Sequence, residues 1–475
     1  MMFDSAVPPF LLSAQKFGIR LGLERMISLM SLLGNPQDGM RVVHVAGTNG
    51  KGSVVAYISA MLASEGYKVG VYTSPFLERF SERIRILDGE ESLMQLKAEE
   101  SHGEIGQKDL FDLSEKVRMA VLQMTSLGQE HPTEFELVTA VAFLYFRQEN
   151  CEYVVLETGL GGRLDSTNII PDPVCSIITA IGYDHTDRLG ETVAQIASEK
   201  AGIIKFRCPV YLMSPSDTDL NFEDAYAVER VIVEKCAELI APLTIVSSSD
   251  ILLRNPDSSG QKISLSYLND PVNIGLIGRH QALNAALSVR SVMNFISERS
   301  IREGLSKTVW KGRIEIVRQN PLVILDGAHN PQGMKSFCEA MNETYAETFR
   351  LNPPRLILGV MKDKEYEQML RILFSSLSFD LRELICVTVD QERTLDADVL
   401  AEAAGIAAVD AKKFYNVTSS MYNIQVKISA YDNAIRCSTE MLSRSLLDTA
   451  PILCIGSLYL IGQIRDIFVM SHEGD

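Results

Sequence analysis

The run His44-Val-Ala-Gly-Thr-Asn-Gly-Lys-Gly-Ser53 holds the residues best suited to chemistry in this chain. Gly47, Gly50 and Gly52 allow close backbone approach, Thr48 and Asn49 complete the turn, and a helix starting there aims free N–H groups at phosphate oxygens. Lys51 can reach the outer phosphates of a nucleotide, and Ser53 can address a metal ion or a phosphate. The match to the standard phosphate loop is offset, because Val45 stands where its first Gly would be and Gly52 precedes the hydroxyl residue. An ordinary Gly-rich turn is the alternative, but Gly-Lys-Gly-Ser falls where a strand gives way to a helix, as a β-α-β nucleotide site requires.

Polar residues directly after apolar runs are the next candidates, since open parallel sheets bind ligands beyond the carboxyl ends of their strands. Glu157 follows Val154-Val-Leu156 and precedes Thr158-Gly-Leu-Gly-Gly-Arg163; its carboxylate is the oxygen ligand that Mg²⁺ prefers, with water and phosphate completing the shell. His185 follows an apolar run within Tyr183-Asp-His-Thr186, and Ser74 opens the stretch Ser74-Pro-Phe-Leu-Glu-Arg-Phe-Ser-Glu-Arg83. The competing readings are a strand-end ion pair, a core or capping histidine and a turn serine. Further on, Asp326 and His329 end the apolar run of Pro321-Leu-Val-Ile-Leu-Asp-Gly-Ala-His-Asn-Pro331. Arg313 offers a guanidinium suited to phosphates, with a surface ion pair as the alternative, and Asn284 could contact the nucleotide.

These groups need strands and helices behind them. Apolar Val42-Val43 and Val45-Ala46, then Val54, Val55, Ile58, Met61 and Leu62 at helical spacing, then Lys68-Val-Gly-Val-Tyr-Thr73, make a β-α-β unit. Strand-like runs recur at residues 153–156, 175–181 and 209–213, and a second set at 322–325, 355–360, 383–389 and 451–455 implies a smaller α/β domain. The boundary is placed at residues 296–310, dividing the chain into 1–298 and 299–475. Residues 88–107 and 411–437 read as surface excursions without an assigned element.

A chain of 475 residues, 46% hydrophobic and 22% charged, can bury more than one core. Its formal net charge of −16 would repel nucleic acid and acidic membranes, leaving a small-molecule substrate as the expectation. Eight cysteines without a Cys-x-x-Cys pair, a start without a basic leader and no apolar run of membrane-spanning length together suggest a cytoplasmic protein with reduced thiols, expected to be a monomer.

Gly47-Thr-Asn-Gly-Lys-Gly-Ser53 resembles the ATP loop of the folylpolyglutamate synthase and dihydrofolate synthase family, relatives of the peptidoglycan Mur ligases. The resemblance runs from about residue 18 to 465 and thins beyond Pro331. It implies a P-loop parallel-sheet ATPase domain followed by a smaller Rossmann-like α/β domain. The implied activity is an ATP-dependent ligase that adds L-glutamate to a folate through an acyl phosphate.

The same resemblance assigns Ser74, Glu157 and His185 to two Mg²⁺ ions. It makes Lys200, in Ser198-Glu-Lys-Ala-Gly-Ile-Ile-Lys205, a lysine carbamylated by CO₂, where sequence alone suggests an ordinary exposed lysine; Lys205 is expected to face solvent. Leu21, Gly22, Leu23 and Glu24, Thr133, Phe135 and Glu136, and Leu164, Asp165 and Ser166 are assigned to the pterin-bearing substrate. Asn284, Arg313 and Asp326 align with ATP contacts, His329 with the reacting centre, and Ser457 with the incoming glutamate, a helix cap being Ser457's alternative. Family members often carry His after Ser-Pro, whereas this chain has Phe76, which leaves that imidazole's contact without a counterpart. Two rivals stand beside this reading. A peptidoglycan-precursor ligase would carry a uridine-nucleotide domain before the ATP loop, where only residues 1–46 stand; a nucleotide-dependent switch would turn over ATP without a second substrate.

Overall fold

A computed structural model describes residues 7–415 and 426–469. The first sheet comprises β1 (Val42–Ala46), β2 (Lys68–Tyr72), β3 (Ile84–Asp88), β4 (Tyr153–Glu157), β5 (Cys175–Ile178), β6 (Val210–Met213) and β7 (Leu243–Val246), in the order β3-β2-β4-β1-β5-β6-β7. β3 runs antiparallel to β2, and the other neighbours are parallel. β1 and β4 lie at its centre with every residue buried, which is why they read as unbroken Val/Leu runs rather than alternating ones. Helix Lys51–Ser64 returns the chain from β1 to β2 and is itself buried from Ser53 onward.

Two other helices matter for the site, and local chemistry fixes where each begins. Thr133 caps helix Glu134–Gln148, accepting from Glu136 N–H while the Glu136 carboxylate takes Thr133 N–H. Thr192 and Gln195 form the same reciprocal pair at the start of helix Val193–Ala201. That helix buries Val193, Ile196, Ala197, Lys200 and Ala201, the one-sided stripe of a 3.6-residue period, and Lys200 falls inside the stripe.

A small sheet follows, β8 (Ile251–Asp257), β9 (Gly260–Leu265) and β10 (Val272–Ile274), in the order β10-β9-β8. The last sheet holds β11 (Glu315–Gln319), β12 (Leu322–Leu325), β13 (Arg355–Leu358), β14 (Glu383–Val387), β15 (Lys427–Tyr431) and β16 (Ile452–Ile455), ordered β11-β12-β16-β13-β14-β15. Only β11 is antiparallel to its neighbour.

The chain divides into two compact units, one of Met1–Arg254, Lys262–Gly275 and Leu283–Val309, the other of Asn255–Gln261, Leu276–Ala282 and Trp310–Asp475. Each has its own apolar core. All eight cysteines are free thiols. Among the described residues no helix is long and apolar enough to cross a membrane.

The structure corrects the two unassigned excursions. Residues 89–98 form helix Gly89–Ala98, and Glu104 and Ile105 beyond it are nearly buried. In the second excursion, β15 adds an edge strand and helix Ala434–Asp448 begins, while residues 416–425 lie outside the described residues.

Candidate active site

Four neighbouring parallel strands, β2, β4, β1 and β5, end side by side, within roughly 15 Å at the usual strand spacing. Glu157 is the last residue of β4, and Ser74, the Gly47–Ser53 turn and His185 follow the ends of β2, β1 and β5.

The Gly-rich turn is clamped to the segment after β5. Thr48 N–H donates to Ala180 O at 2.8 Å, Asn49 N–H to the same oxygen at 3.2 Å, and Thr48 Oγ1 to Gly182 O at 3.1 Å. A Cβ at Gly47 would collide with the Thr179 hydroxyl. Gly50 has φ +89° and lies against the buried Asn284 side chain, whose Oδ1 a Cβ would approach to 2.6 Å. Helix Lys51–Ser64 starts there, with the partly buried Gly52 and the buried Ser53 in its first turn.

Two lysines converge on one carbonyl in this turn. Lys51 Nζ donates to Gly47 O at 3.1 Å and Thr48 O at 3.3 Å, and Lys200 Nζ donates to Gly47 O at 2.8 Å. Lys200 is 3% exposed; burial first, and the Lys51 charge second, bring its pKa down from 10.5 to about 7, against the opposing pull of Asp184 and Asp165. Lys200 is thus not the exposed helix lysine that residue type alone suggests. Lys205 departs from expectation too, since it is half-buried, donates to Asn168 O at 3.2 Å and has a lowered pKa, chiefly from burial.

Glu157 is buried, and its Oε2 accepts Ser74 N–H at 3.3 Å. His185 is exposed, in left-handed backbone (φ +51°), and its N–H donates to Asp184 Oδ1 at 2.9 Å. Among the described residues no three His, Cys, Asp or Glu side chains form a ready-made metal cage. Mg²⁺ ordinarily takes one or two carboxylates and draws its remaining ligands from water and phosphates, a demand that Glu157 beside a phosphate turn fits.

The candidate pocket residues come from three segments that the structure brings together. Arg25 donates to Arg20 O at 2.8 Å and pairs with the Glu136 carboxylate at 3.1–3.2 Å, tying the turn of Leu21, Gly22, Leu23 and Glu24 to the start of helix Glu134–Gln148. Phe135 lies over Gly159, where a Cβ would meet its ring at 2.5 Å. Thr139 Oγ1 is 3.2 Å from Ser166 Oγ, joining that helix to the turn of Leu164, Asp165 and Ser166. Phe76, partly buried, packs 5.9 Å from Phe80 with Arg83 over its ring.

In the second unit the ends of β12 and β16 carry the candidates. Asp326 is buried and accepts N–H groups from Ile314 at 2.9 Å and Ala328 at 2.8 Å; burial raises its pKa, with Arg313 opposing. His329 Nδ1 lies 2.7 Å from Gly327 O, and because a carbonyl only accepts, the proton sits on Nδ1. Gly327 leaves room for Arg313 and Leu458. Ser457 is buried and its Oγ accepts Tyr459 N–H at 3.1 Å, a helix-capping contact.

Sequence reasoning did not single out Arg25, Ala180, Thr179 or Glu104. Glu104, 5% exposed, gathers Arg79 (2.8 Å), Arg85 (3.1 Å) and Ser81 (2.6 Å), bracing the stretch that begins at Ser74. Nothing in the local sequence marks such partners.

Comparison with known proteins places the chain. Residues 108–292 match the Mur ligase middle domain, and residues 312–439 the Mur ligase glutamate ligase domain. A dihydrofolate synthase/folylpolyglutamate synthase of Bacillus subtilis is 38% identical over 370 residues, 75% of this chain and 80% of that protein. The chain belongs to the dihydrofolate synthase/folylpolyglutamate synthase family. It is an ATP-dependent ligase that forms an amide bond. Among solved structures, a Mycobacterium tuberculosis folylpolyglutamate synthase complexed with ADP superposes with a TM-score of 0.78 at 27% identity, covering 97% of this chain and 98% of that one. An Escherichia coli member solved with DHPP and ADP gives 0.75 at 25% identity, covering 98% and 97%. The two-domain α/β architecture expected from the family resemblance is the observed one.

Proposed function

We propose that this member joins L-glutamate to a folate, extending tetrahydrofolate, completing dihydrofolate from dihydropteroate, or both, as a cytoplasmic monomer. The observation that carries the reading is the convergence of Lys51 and Lys200 on Gly47 O, at the end of β1 where that strand pairs with Glu157 of β4. In this reading the N-terminal part, residues 1–298, binds ATP and the pteridine, and residues 299–475 serve glutamate.

The Gly47–Ser53 backbone and Lys51 hold the triphosphate, with Asn284 beside Gly50, and Arg313 offers a guanidinium to phosphate. Two Mg²⁺ ions, held by Ser74, Glu157, His185 and a modified Lys200, would offset the repulsion between phosphate and carboxylate. The γ-phosphoryl passes to the folate carboxylate, the glutamate amine displaces phosphate from the acyl carbon, and an amide, ADP and phosphate result. His329, with its proton on Nδ1 when neutral, has its lone pair on Nε2 for positioning the amine or taking its proton. Asp326 shapes the turn that carries His329, and Ser457 serves the amino acid.

The low pKa of Lys200 supports its carbamylation. At about pH 7 half the amine is neutral, and its nitrogen can bond to the carbon of CO₂ and release a proton to solvent. Mass spectrometry after incubation with ATP, Mg²⁺, glutamate and either dihydropteroate or tetrahydrofolate tests the activity. Glutamyl addition to one or both is expected, and addition to neither rejects it. Lys200→Ala is expected to abolish turnover, and near-normal activity would reject the carbamate.

A further inference from the structure

Beneath the turn that follows Glu157 lies a buried chain of hydrogen bonds that no step above uses. His44, in β1, is fully buried, and its Nε2 lies 2.9 Å from Thr167 Oγ1. Thr167 Oγ1 lies 2.6 Å from Asp165 Oδ1, which also accepts Thr167 N–H at 3.0 Å. Asp165 Oδ2 accepts Leu160 N–H at 2.8 Å, so the carboxylate closes the turn back toward β4.

Donor chemistry gives this chain one direction. Burial raises the Asp165 pKa, while the Thr167 hydroxyl and the N–H groups of Leu160 and Thr167 favour its anion; in that ionised form the carboxylate only accepts, so the single Thr167 hydroxyl proton points to Asp165 and the hydroxyl oxygen accepts from His44. The imidazole therefore carries its proton on Nε2, and its bare Nδ1 has no hydrogen-bond partner among the described residues. Burial, helped by the Lys205 charge, lowers the His44 pKa to about 3, so the ring stays neutral. Its neighbours Val42, Val43, Val45 and Ala46 show that an apolar residue suits this strand. A buried ring with one unpaired nitrogen costs stability that Leu or Val would not, and what it supplies instead is direction.

The opposite side of the turn is pinned as well. Asn168 Nδ2 donates to Arg163 O and Gly202 O, both at 3.0 Å, and Arg163 N–H donates to Glu199 O at 2.7 Å. The turn is thus held between β1 and the helix that carries Lys200.

We propose that His44 and Thr167 are positioning residues for the folate side of the reaction, fixing the Asp165 carboxylate and the turn from Glu157 to Ser166 through a directed hydrogen-bond chain from β1. The proposal rests on the reading above that residues 164–166 meet the folate. Steady-state kinetics of Thr167→Val, Thr167→Ser and Asp165→Asn, with dihydropteroate or tetrahydrofolate, whichever is extended, test it. Thr167→Val should raise the KM for the pteridine about tenfold, the equivalent of one hydrogen bond, and leave the KM for ATP within about twofold. Thr167→Ser, which keeps the hydroxyl, should restore the wild-type value. An unchanged pteridine KM, or equal rises in both KM values, overturns the proposal. If Asp165→Asn leaves the pteridine KM unchanged, the pocket reading fails; if Asp165→Asn raises it and Thr167→Val does not, only the hydrogen-bond chain fails. Should Thr167→Val not fold, His44→Gln, which keeps a displaced donor, is read on the same two KM values: a rise confined to the pteridine supports the proposal and any other pattern overturns it.

Discussion

Replacing Lys200 by Met removes a buried ammonium and keeps an unbranched stem in the helix stripe. The folded pKa of about 7 lies below the ordinary 10.5, so between those values the unfolded chain binds a proton that the folded chain lacks. By linkage, wild-type unfolding free energy then rises with pH across that window, by up to about 1.4 kcal/mol per pH unit. The burden of the charged lysine is greatest below pH 7, on the order of 5 kcal/mol at that slope, and is gone above 10.5. K200M has no such group. Its stability relative to wild type should therefore fall by roughly 2 kcal/mol from pH 7 to pH 9. The lost bond to Gly47 O offsets the difference at every pH, so the slope is the diagnostic quantity. Urea denaturation of both proteins across this range, in buffers stripped of CO₂, provides the assay. A difference flat to about 0.5 kcal/mol would refute the argument that burial depresses this amine.

Three further outcomes are expected. Gly47→Ala should weaken ADP binding at least about tenfold by calorimetry, because the new methyl group meets Thr179 and displaces the turn; unchanged affinity would show that the turn yields freely. Glu157→Gln should lower turnover at least about a hundredfold and shift half-activation to higher Mg²⁺, whereas loss of activity with the same Mg²⁺ dependence would separate Glu157 from the metal. Glu104→Ala should cost about 2 kcal/mol in denaturant unfolding, since Arg79, Arg85 and Ser81 lose a shared, nearly buried acceptor while the partial exposure of Arg79 limits the loss; a change under about 0.5 kcal/mol would make the cluster incidental.

What was legible in the sequence follows burial. Central strands such as β1, β4, β13 and β16 are covered on both faces, so they appear as short apolar runs and their polar ends stand out. Edge and half-covered strands were missed: β3 alternates Ile84-Arg-Ile, β7 leaves Ile245 exposed, and β11 and β15 carry charged residues. The candidate site was legible where a residue's place relative to a strand end gave it away, as for Glu157 and Asp326. Groups defined by a meeting of distant segments were not. Arg25 and Glu136 are 111 residues apart and His44 and Thr167 are 123 apart, and no local pattern announces either pair. Lys200 lies between these cases, since Val193, Ile196 and Ala197 already mark its side of the helix as the buried one.

The shared Gly47 carbonyl sets the electrostatic logic of the site. One carbonyl oxygen has two lone pairs and can satisfy both ammonium donors, yet the donors repel, and Lys51 contributes to the depression of the Lys200 pKa. Lys51 has a second oxygen, Thr48 O, and opens the helix at the partly exposed turn; Lys200 is enclosed. Strain between the two is therefore relieved in one of two ways: an anion comes to Lys51, or Lys200 gives up its charge. An arriving phosphate, being negative, also draws a proton back toward Lys200. The neutral form of Lys200 is thus easier to reach before an anion binds nearby than after. The charge on Lys200 and that on Lys51 are in this way linked through a single backbone oxygen.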